Sequence, residues 1–197
     1  MNELINKLLQ YKSFIKYVDY SSNTVVFNEG DICQEIGIII KGGITISTMT
    51  YTEKEETINT INEGELFGDF LVFSPNPIYL GIGVTIKKTT IAFIKRENLL
   101  SIFINNKDVL TAYLSYISSK AIQLKLQTKL LSHKNIEDRI IYFFTMKKEN
   151  PIYIASITDF SKKLALPRPS VSRSLKAMEE KNIVKRENHL FYLLKKK

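Results

Sequence analysis

The segment from Ser156 to Lys185 runs SITDFSKKLALPRPSVSRSLKAMEEKNIVK. Its first part, Ser156 to Leu164, places Ile157, Phe160 and Leu164 on one face of a short helix. Ala165-Leu166-Pro167 is a tight turn. Arg168 to Glu180 follows, with Val171, Leu175 and Met178 at i, i+4 and i+7 on its inner face and Ser170, Arg173 and Ala177 opposite. Proline costs nothing in the first turn of a helix, where the N–H has no partner, so Pro167 and Pro169 mark where the second helix starts. Two helices joined by a short turn, the second basic and small-residued on its outer side, predict a helix-turn-helix. Ile183 to Arg186, a polar tip at Glu187-Asn188-His189, and Leu190 to Leu194 predict a hairpin wing behind it. Small side chains at Ser170 and Ser172 let the backbone approach a phosphate or base edge, and an arginine forks onto guanine O6 and N7. The candidate DNA-binding residues are therefore Arg168, Pro169, Ser170, Ser172 and Arg173, with Lys162, Lys163 and Lys176 on or near phosphates.

Charge and composition divide the chain around this segment. Of the 197 residues, the whole carries 28 Lys+Arg against 20 Asp+Glu, a formal net charge of +8. Residues 1–107 hold 10 of these cations and 12 of the anions; residues 108–197 hold 18 and 8. All eight glycines lie in the first part. A turn-dense, neutral half gives way to a basic, glycine-free half suited to a polyanion. At 44% hydrophobic and 24% charged, the chain has ample material for a packed core and is not disordered.

In the first part, Val25 to Phe27, Ile36 to Ile40, Ile44 to Ser47, Thr57 to Ile61 and Ile82 to Ile86 are short β-branched runs. Asn28-Glu29-Gly30-Asp31, Lys41-Gly42-Gly43 and Asn62-Glu63-Gly64 punctuate them, and Glu53 to Glu56 is a solvated hairpin tip. Short strands at regular spacing predict an antiparallel barrel or roll. Ahead of it, Asn2 to Tyr17 shows a helical pattern through Leu4, Ile5, Leu8, Leu9 and Tyr11. A cupin-like catalyst also uses short strands, but needs histidine ligands, and residues 1–107 contain none.

Between the two parts, Asp108 to Ser132 lacks Gly and Pro. Leu110, Leu114, Ile117, Ala121, Leu124, Thr128 and Leu131 alternate by four and three, a heptad seam with one polar member. Two readings stand: a helix packed along its own domain, or the interface of a two-chain coiled coil. Asn135 to Phe144 is a further amphipathic helix, and Pro151 breaks into the last domain.

Leu164 with Arg168 to Leu175, Glu179-Glu180 and Asn182-Ile183-Val184 resembles the winged helix of the Crp/Fnr transcription regulators. Phe27 to Asp31, Ile38 to Gly42 and Gly64-Glu65-Leu66-Phe67-Gly68-Asp69 resemble that family's cyclic-nucleotide-binding-type roll, and the heptad segment its dimerisation helix. The resemblance implies an α+β chain: an antiparallel β-roll over 1–107, a long dimerisation helix and hinge over 108–134, and a winged helix-turn-helix over 135–197. It implies a homodimer on an inverted-repeat DNA operator, with RNA polymerase among its partners, no enzymatic activity and no cofactor. The alternative is a ligand-sensing module of the same fold with little DNA specificity. Arg139 matches a family arginine that braces the DNA-binding domain. The family usually has Gly where Ala165 stands; a positive φ there costs an alanine roughly 1–2 kcal/mol. Pro169 replaces the family's first base-contacting glutamate, so the base code of its cyclic-AMP member does not transfer.

Gly68, Asp69 and Tyr79 are the candidate effector-binding positions implied by the resemblance. Cyclic-nucleotide binders of this fold use a Gly-Glu pair for the ribose and, about ten positions on, an Arg for the phosphate. Here Asp69 is one methylene shorter, the Arg position falls near Tyr79, and no Lys or Arg occurs between Gly68 and Lys87. An unpaired buried phosphate is too costly, so cyclic AMP is not expected as effector, and the effector's identity stays open. Phe67, Phe70, Phe73 and Tyr79 read as core more than pocket. The single Cys33 excludes a disulfide within the chain and an iron–sulfur cluster; it reads as a small buried residue. His133 and His189 read as solvated polar residues, and no metal site is expected. No apolar run reaches the ~18 residues of a membrane span. The start, Met1-Asn2-Glu3-Leu4, lacks a signal-peptide pattern, so a cytoplasmic protein is expected.

Overall fold

The computed structural model describes residues 3–49, 54–147 and 149–194. Met1 and Asn2, the tip residue Glu53 and the terminal lysines after Leu194 lie outside the described residues. The chain forms two compact units, divided between Ser119 and Lys120.

The first unit starts with α1 (Glu3–Leu8), a 3-10 turn (Lys12–Phe14) and β1 (Ile15–Tyr20). The helical pattern expected over Asn2 to Tyr17 therefore holds only to Leu8. Beyond the turn, the chain gains more by pairing with β8 (Thr89–Lys95) through six registered residues, Ile15 opposite Ile94 to Tyr20 opposite Thr89. Strands β2 (Val25–Phe27), β3 (Glu35–Lys41), β4 (Gly43–Met49), β5 (Glu55–Asn62), β6 (Leu66–Phe67) and β7 (Ile82–Thr85) complete the unit's strands. They form two four-stranded sheets, ordered β1-β8-β3-β6 and β2-β7-β4-β5, with every pairing antiparallel. That is the roll expected from the spacing of the runs. Within it, β3 is Ile-rich because it is buried from Ile36 to Ile39.

Aromatic rings cover glycines inside the roll. A Cβ on Gly37 would strike the Phe67 ring, and one on Gly83 would strike the Phe27 ring. Phe27 stacks on Tyr79 at 3.9 Å, and Phe67 meets Phe93 edge-on at 6.0 Å. Leu4, Ile5 and Leu8 of α1 and Leu99, Ile102 and Phe103 of α2 (Arg96–Asn105) belong to the same core.

Helix α3 (Lys107–Ser132) follows. Its first half buries Val109 and Tyr113 in the roll's core, with Leu110, Tyr116 and Ile117 partly buried beside them. Residues 121–129 are exposed throughout, and Leu130 enters the second core.

The second unit adds α4 (Ile136–Lys147), β9 (Ile152–Tyr153), α5 (Ile157–Lys163), α6 (Arg168–Glu180), β10 (Val184–Glu187) and β11 (Leu190–Leu193). The expected hairpin is β10–β11, with Glu187 opposite Leu190 and a third, two-residue strand, β9, on its edge. Ile140, Phe143, Phe144, Phe160, Leu164, Val171, Leu175, Met178, Val184 and Phe191 form its core. Phe160 is the hub, with its ring 5.1 Å from Phe143 and 5.9 Å from Phe144.

Candidate nucleic-acid interface

Helix α5 begins at Ser156, whose Oγ accepts from the Asp159 N–H at 3.0 Å and donates to the Asp159 carboxylate at 2.7 Å. The first turn is thus capped by side chains three residues apart. The helix ends in a Schellman motif. The N–H of Ala165 donates to the Lys162 carbonyl and that of Leu166 to the Ser161 carbonyl, both at 3.0 Å. Ala165 takes φ 49°, the left-handed conformation in which glycine is unstrained. The family's glycine geometry is therefore kept by an alanine.

Pro167 then caps α6, its carbonyl accepting from Ser170 N–H at 3.0 Å and Val171 N–H at 3.2 Å. A second Schellman motif closes α6: Asn182 at φ 55° donates to the Glu179 carbonyl at 3.0 Å, and Ile183 to that of Met178 at 2.8 Å. Stops at both ends hold α6 between fixed turns. Its inner face is anchored by Val171, Leu175 and Met178, all buried. Each such side chain stabilises by about 1.5–3 kcal/mol.

The outward face carries Pro169, Ser172, Arg173 and Lys176, with Arg168 exposed at its start. Lys162 and Lys163 are exposed at the end of α5. Ser170 and Ala177 differ from expectation: they are half-buried on the flank, because the inner face spans about 60° around Val171, Leu175 and Met178 at ~100° per residue and pulls in its neighbours. Among the described residues, none of Lys162, Lys163, Arg168, Arg173 and Lys176 lies within ion-pair distance of a carboxylate. Lys181 and Lys185, by contrast, are paired with Glu137 at 2.8 Å and Glu187 at 2.7 Å. A rigid helix thus presents a cluster of uncompensated cations, an arrangement suited to a phosphate-rich partner.

On the hairpin, Glu187 accepts from Lys185 and from the Tyr192 hydroxyl at 3.0 Å. These hydrogen bonds hold its carboxyl below the usual range. His189 is exposed, with Nδ1 3.3 Å from the Ile154 carbonyl. His133 is half-buried against Tyr142, ring centroids 4.8 Å apart, and its Nε2 is buried without a hydrogen-bond partner.

In α3, Leu114, Ala121, Leu124, Thr128 and Leu131 of the seam are exposed, and Leu110 and Ile117 are half-buried against the roll. The Thr128 hydroxyl donates to the Leu124 carbonyl at 3.0 Å, which satisfies the polar member of the seam within its own helix.

Tyr79 lines a cleft of ≈ 1320 Å³ in the first unit, with Phe27, Phe67, Lys16, Glu35 and Lys95. Gly68 lies against the Tyr79 hydroxyl, which stands 3.4 Å from where a Gly68 Cβ would be, but neither Gly68 nor Asp69 lines the cleft. Burial pushes the Tyr79 phenol and the Cys33 thiol above their ordinary values, and Cys33 donates to the Glu35 carbonyl at 3.3 Å. Gly68 has φ 74°, and Asp69 is buried. Phe73 joins Phe103 and Tyr113 instead of the Phe27–Tyr79 stack, and Phe70 is 42% exposed. Sequence reasoning missed Tyr113 and Tyr116, which contact Asp69 from α3. Among the described residues, no group of three or more His, Cys, Asp or Glu could hold a metal, and no helix is long and apolar enough to cross a membrane.

The roll is a cyclic nucleotide-binding domain: residues 17–106 match that family. Beyond it, the chain is 23% identical over 172 residues to the anaerobic regulatory protein of Bacillus subtilis (strain 168), covering 82% of this chain and 72% of that protein. In fold it is similar to the catabolite activator protein of Thermus thermophilus, with TM-score 0.57 and 19% identity, covering 98% of this chain and 91% of that one. It is similar also to CprK complexed with OCPA, with TM-score 0.66 and 15% identity, covering 95% and 90%. The family match covers the roll, and over nearly its whole length the chain is similar in fold to these solved structures.

Proposed function

We propose that the chain is a homodimeric, sequence-specific DNA-binding regulator whose α5–α6 pair and β10–β11 hairpin act as a winged helix-turn-helix. The observation that carries this reading is the face of α5 and α6. Lys162, Lys163, Arg168, Arg173 and Lys176 are exposed and unpaired there, while the opposite face of α6 is buried. In this reading Arg168, Ser172 and Arg173 approach base edges, Pro169 and the half-buried Ser170 lie against the backbone, and the lysines neutralise phosphates. Residues 1–107 serve as the sensor-type roll, 108–134 as dimerisation helix and hinge, and 135–197 as the DNA-binding domain, acting in the cytoplasm. The exposed seam on α3 supports the dimer, because leucines at a and d positions gain ~25 cal/mol per Å² when covered.

Cyclic AMP is not the effector in this reading. No Lys or Arg occurs between Gly68 and Lys87, and Tyr79 is committed to the stack on Phe27. A second reading, a roll that holds some other small molecule, is supported by the ≈ 1320 Å³ cleft. Selection of bound duplexes from a random pool, with and without cell metabolites, tests both. An enriched inverted repeat supports the DNA reading, and enrichment only with metabolites supports an effector. A flat pool in both arms, with binding insensitive to salt, overturns the DNA reading.

A further inference from the structure

Strand positions that face the interior of a roll are ordinarily apolar, yet three charged residues share such a face here. Lys16 of β1 is paired with Phe93 of β8, and Glu35 of β3 with Lys95 of β8, two residues beyond Phe93. Paired residues and alternate residues point the same way, so all three stand on the face that carries the Phe93 ring. Together they line the ≈ 1320 Å³ cleft, with Phe27, Phe67, Phe93 and Tyr79. The four rings are buried and form the cleft's floor; Lys16 and Lys95 are exposed and Glu35 half-buried, so the charges form its mouth. Gly68 and Asp69, the effector positions implied by the resemblance, do not line it.

The lining holds three cations, Lys16, Lys95 and Arg96, and three carboxylates, Asp31, Glu35 and Glu97. Four of the six are engaged. Asp31 accepts from the Asn28 N–H at 2.8 Å, Lys95 stands 4.0 Å from Glu97, and the Arg96 guanidinium lies 5.8 Å from the centroid of the Phe73 ring. Among the described residues, the Lys16 ammonium and the Glu35 carboxylate make no hydrogen bond or ion pair. They nevertheless sense each other: burial raises the Glu35 carboxyl above its ordinary value, and the charges of Lys16 and then Lys95 pull it back. Opposite charges held apart over a floor of rings leave room for a guest that carries a charge pair of its own. An anion would gain Lys16 and face Glu35, and a cation the reverse. A zwitterion satisfies both, and a planar ring adds contact with the floor. We propose that this cleft is a binding site for a zwitterion with a planar apolar group, the chemistry of an aromatic amino acid. Its carboxylate lies toward Lys16 and Lys95, its ammonium toward Glu35 and its ring toward the aromatic floor. This rests on the reading of the roll as the holder of a small molecule and gives that reading a ligand class.

Calorimetry on the full chain compares L-phenylalanine with 3-phenylpropionate, which lacks the ammonium, with phenethylamine, which lacks the carboxylate, and with cyclic AMP. Phenylalanine should bind saturably, and each of the others about tenfold more weakly or worse. Glu35→Gln should weaken phenylalanine by about tenfold and leave 3-phenylpropionate no weaker, whereas Lys16→Met should weaken both. Circular dichroism checks that the variants are folded; where one is not, the comparison of the four probes on wild-type protein decides. Binding of 3-phenylpropionate or phenethylamine as tight as that of phenylalanine overturns the zwitterion class. So does phenylalanine binding that is unaltered in both folded variants. Equilibrium dialysis against cell metabolites, read by mass spectrometry, separates this failure from failure of the underlying reading. A retained compound of another class, with no binding of phenylalanine, overturns the ligand class and keeps the roll as a holder of small molecules. No retained compound and no bound probe overturns both.

Discussion

Arg139 donates through Nη1 to the carbonyl of Leu164 at 3.1 Å, joining α4 to the residue that caps the C-terminus of α5. The same guanidinium reaches back to the end of α3, where Nε and Nη2 donate to the His133 carbonyl at 3.1 and 2.8 Å and Nη2 to that of Leu131 at 3.0 Å. Carbonyls at helix C-termini have no partner inside the helix and carry the negative end of its dipole. One arginine thus satisfies two such ends and fixes the turn from which α6 starts. Arg139→Ala should destabilise the C-terminal unit by about 2–4 kcal/mol, since several charge-assisted bonds are lost from a half-buried site. Arg139→Lys should recover little, because an ammonium cannot span three carbonyls in a planar fork. Urea unfolding followed by a probe in residues 135–194 measures this; a loss below about 0.5 kcal/mol for Arg139→Ala counts against the clamp.

Ala165→Gly should stabilise the same unit. The alanine sits at φ 49° in the Schellman turn, where its Cβ costs roughly 1–2 kcal/mol. Glycine gives back about 0.4–1 kcal/mol through the entropy of the unfolded chain. The expected net gain is about 0.5–1 kcal/mol, read as a higher denaturation midpoint at unchanged slope. A variant less stable than wild type means the turn's strain is relieved elsewhere.

Much of this architecture was legible in sequence because its signals are local. Val171, Leu175 and Met178 repeat with the helical period, Pro167 and Pro169 announce the start of α6, and glycines punctuate the β3–β4 and β5–β6 turns. Strand β1 was not legible: Ile15 to Tyr20 becomes a strand through its six-residue pairing with β8, 69 to 79 positions away. The same distance problem hid the Asp69–Tyr116 contact. Nothing near Tyr116 announces a buried acceptor, and the heptad drew attention to the other face of the helix. Ser170 was misplaced for a smaller reason, since a strict two-faced reading of α6 leaves no room for a half-buried flank.

The seam on α3 makes a separable claim about assembly. Leu124 is 55% exposed in the single chain, so Leu124→Glu should leave each unit's melting almost unchanged. Facing a second copy, it places like charges in an apolar seam and should shift sedimentation from dimer to monomer. Ile117→Glu is the contrasting variant, because Ile117 also packs on the roll and its loss should lower the stability of the first unit as well. An unaltered dimer in Leu124→Glu places the interface elsewhere.

The hairpin offers a titration. Hydrogen bonds from Lys185, and next from Tyr192, lower the folded-state pKa of Glu187. A lowered carboxyl contributes stability that is present above its unfolded value, about 4.3, and is lost as pH falls through the folded value. Tyr192→Phe removes one of the donors, so the carboxyl resonance of Glu187 should titrate at higher pH than in wild type. An unchanged midpoint would mean that Lys185 alone sets it.

The last expectation separates base readout from phosphate contact on the two helices. Two copies of α6 related by a dimer axis should enter successive major grooves ~34 Å apart, which requires an inverted repeat with half-sites about one helical turn apart. Arg173 projects from the outward face of α6, anchored from behind by Val171 and Leu175, so its guanidinium can reach a base edge. Lys163 ends α5, before the turn, where a flexible ammonium meets only the backbone. Arg173→Ala should therefore cost roughly 1–3 kcal/mol on the operator and relax preference at one base per half-site. Lys163→Ala should weaken all duplexes alike and reduce the slope of log affinity against log salt by about one unit per protomer. Competition between operator and scrambled duplex at several salt concentrations reads both effects. Equal weakening on both duplexes for Arg173→Ala would reassign that arginine to a phosphate, and the base-reading role would then fall to Arg168, the other exposed guanidinium on the helix.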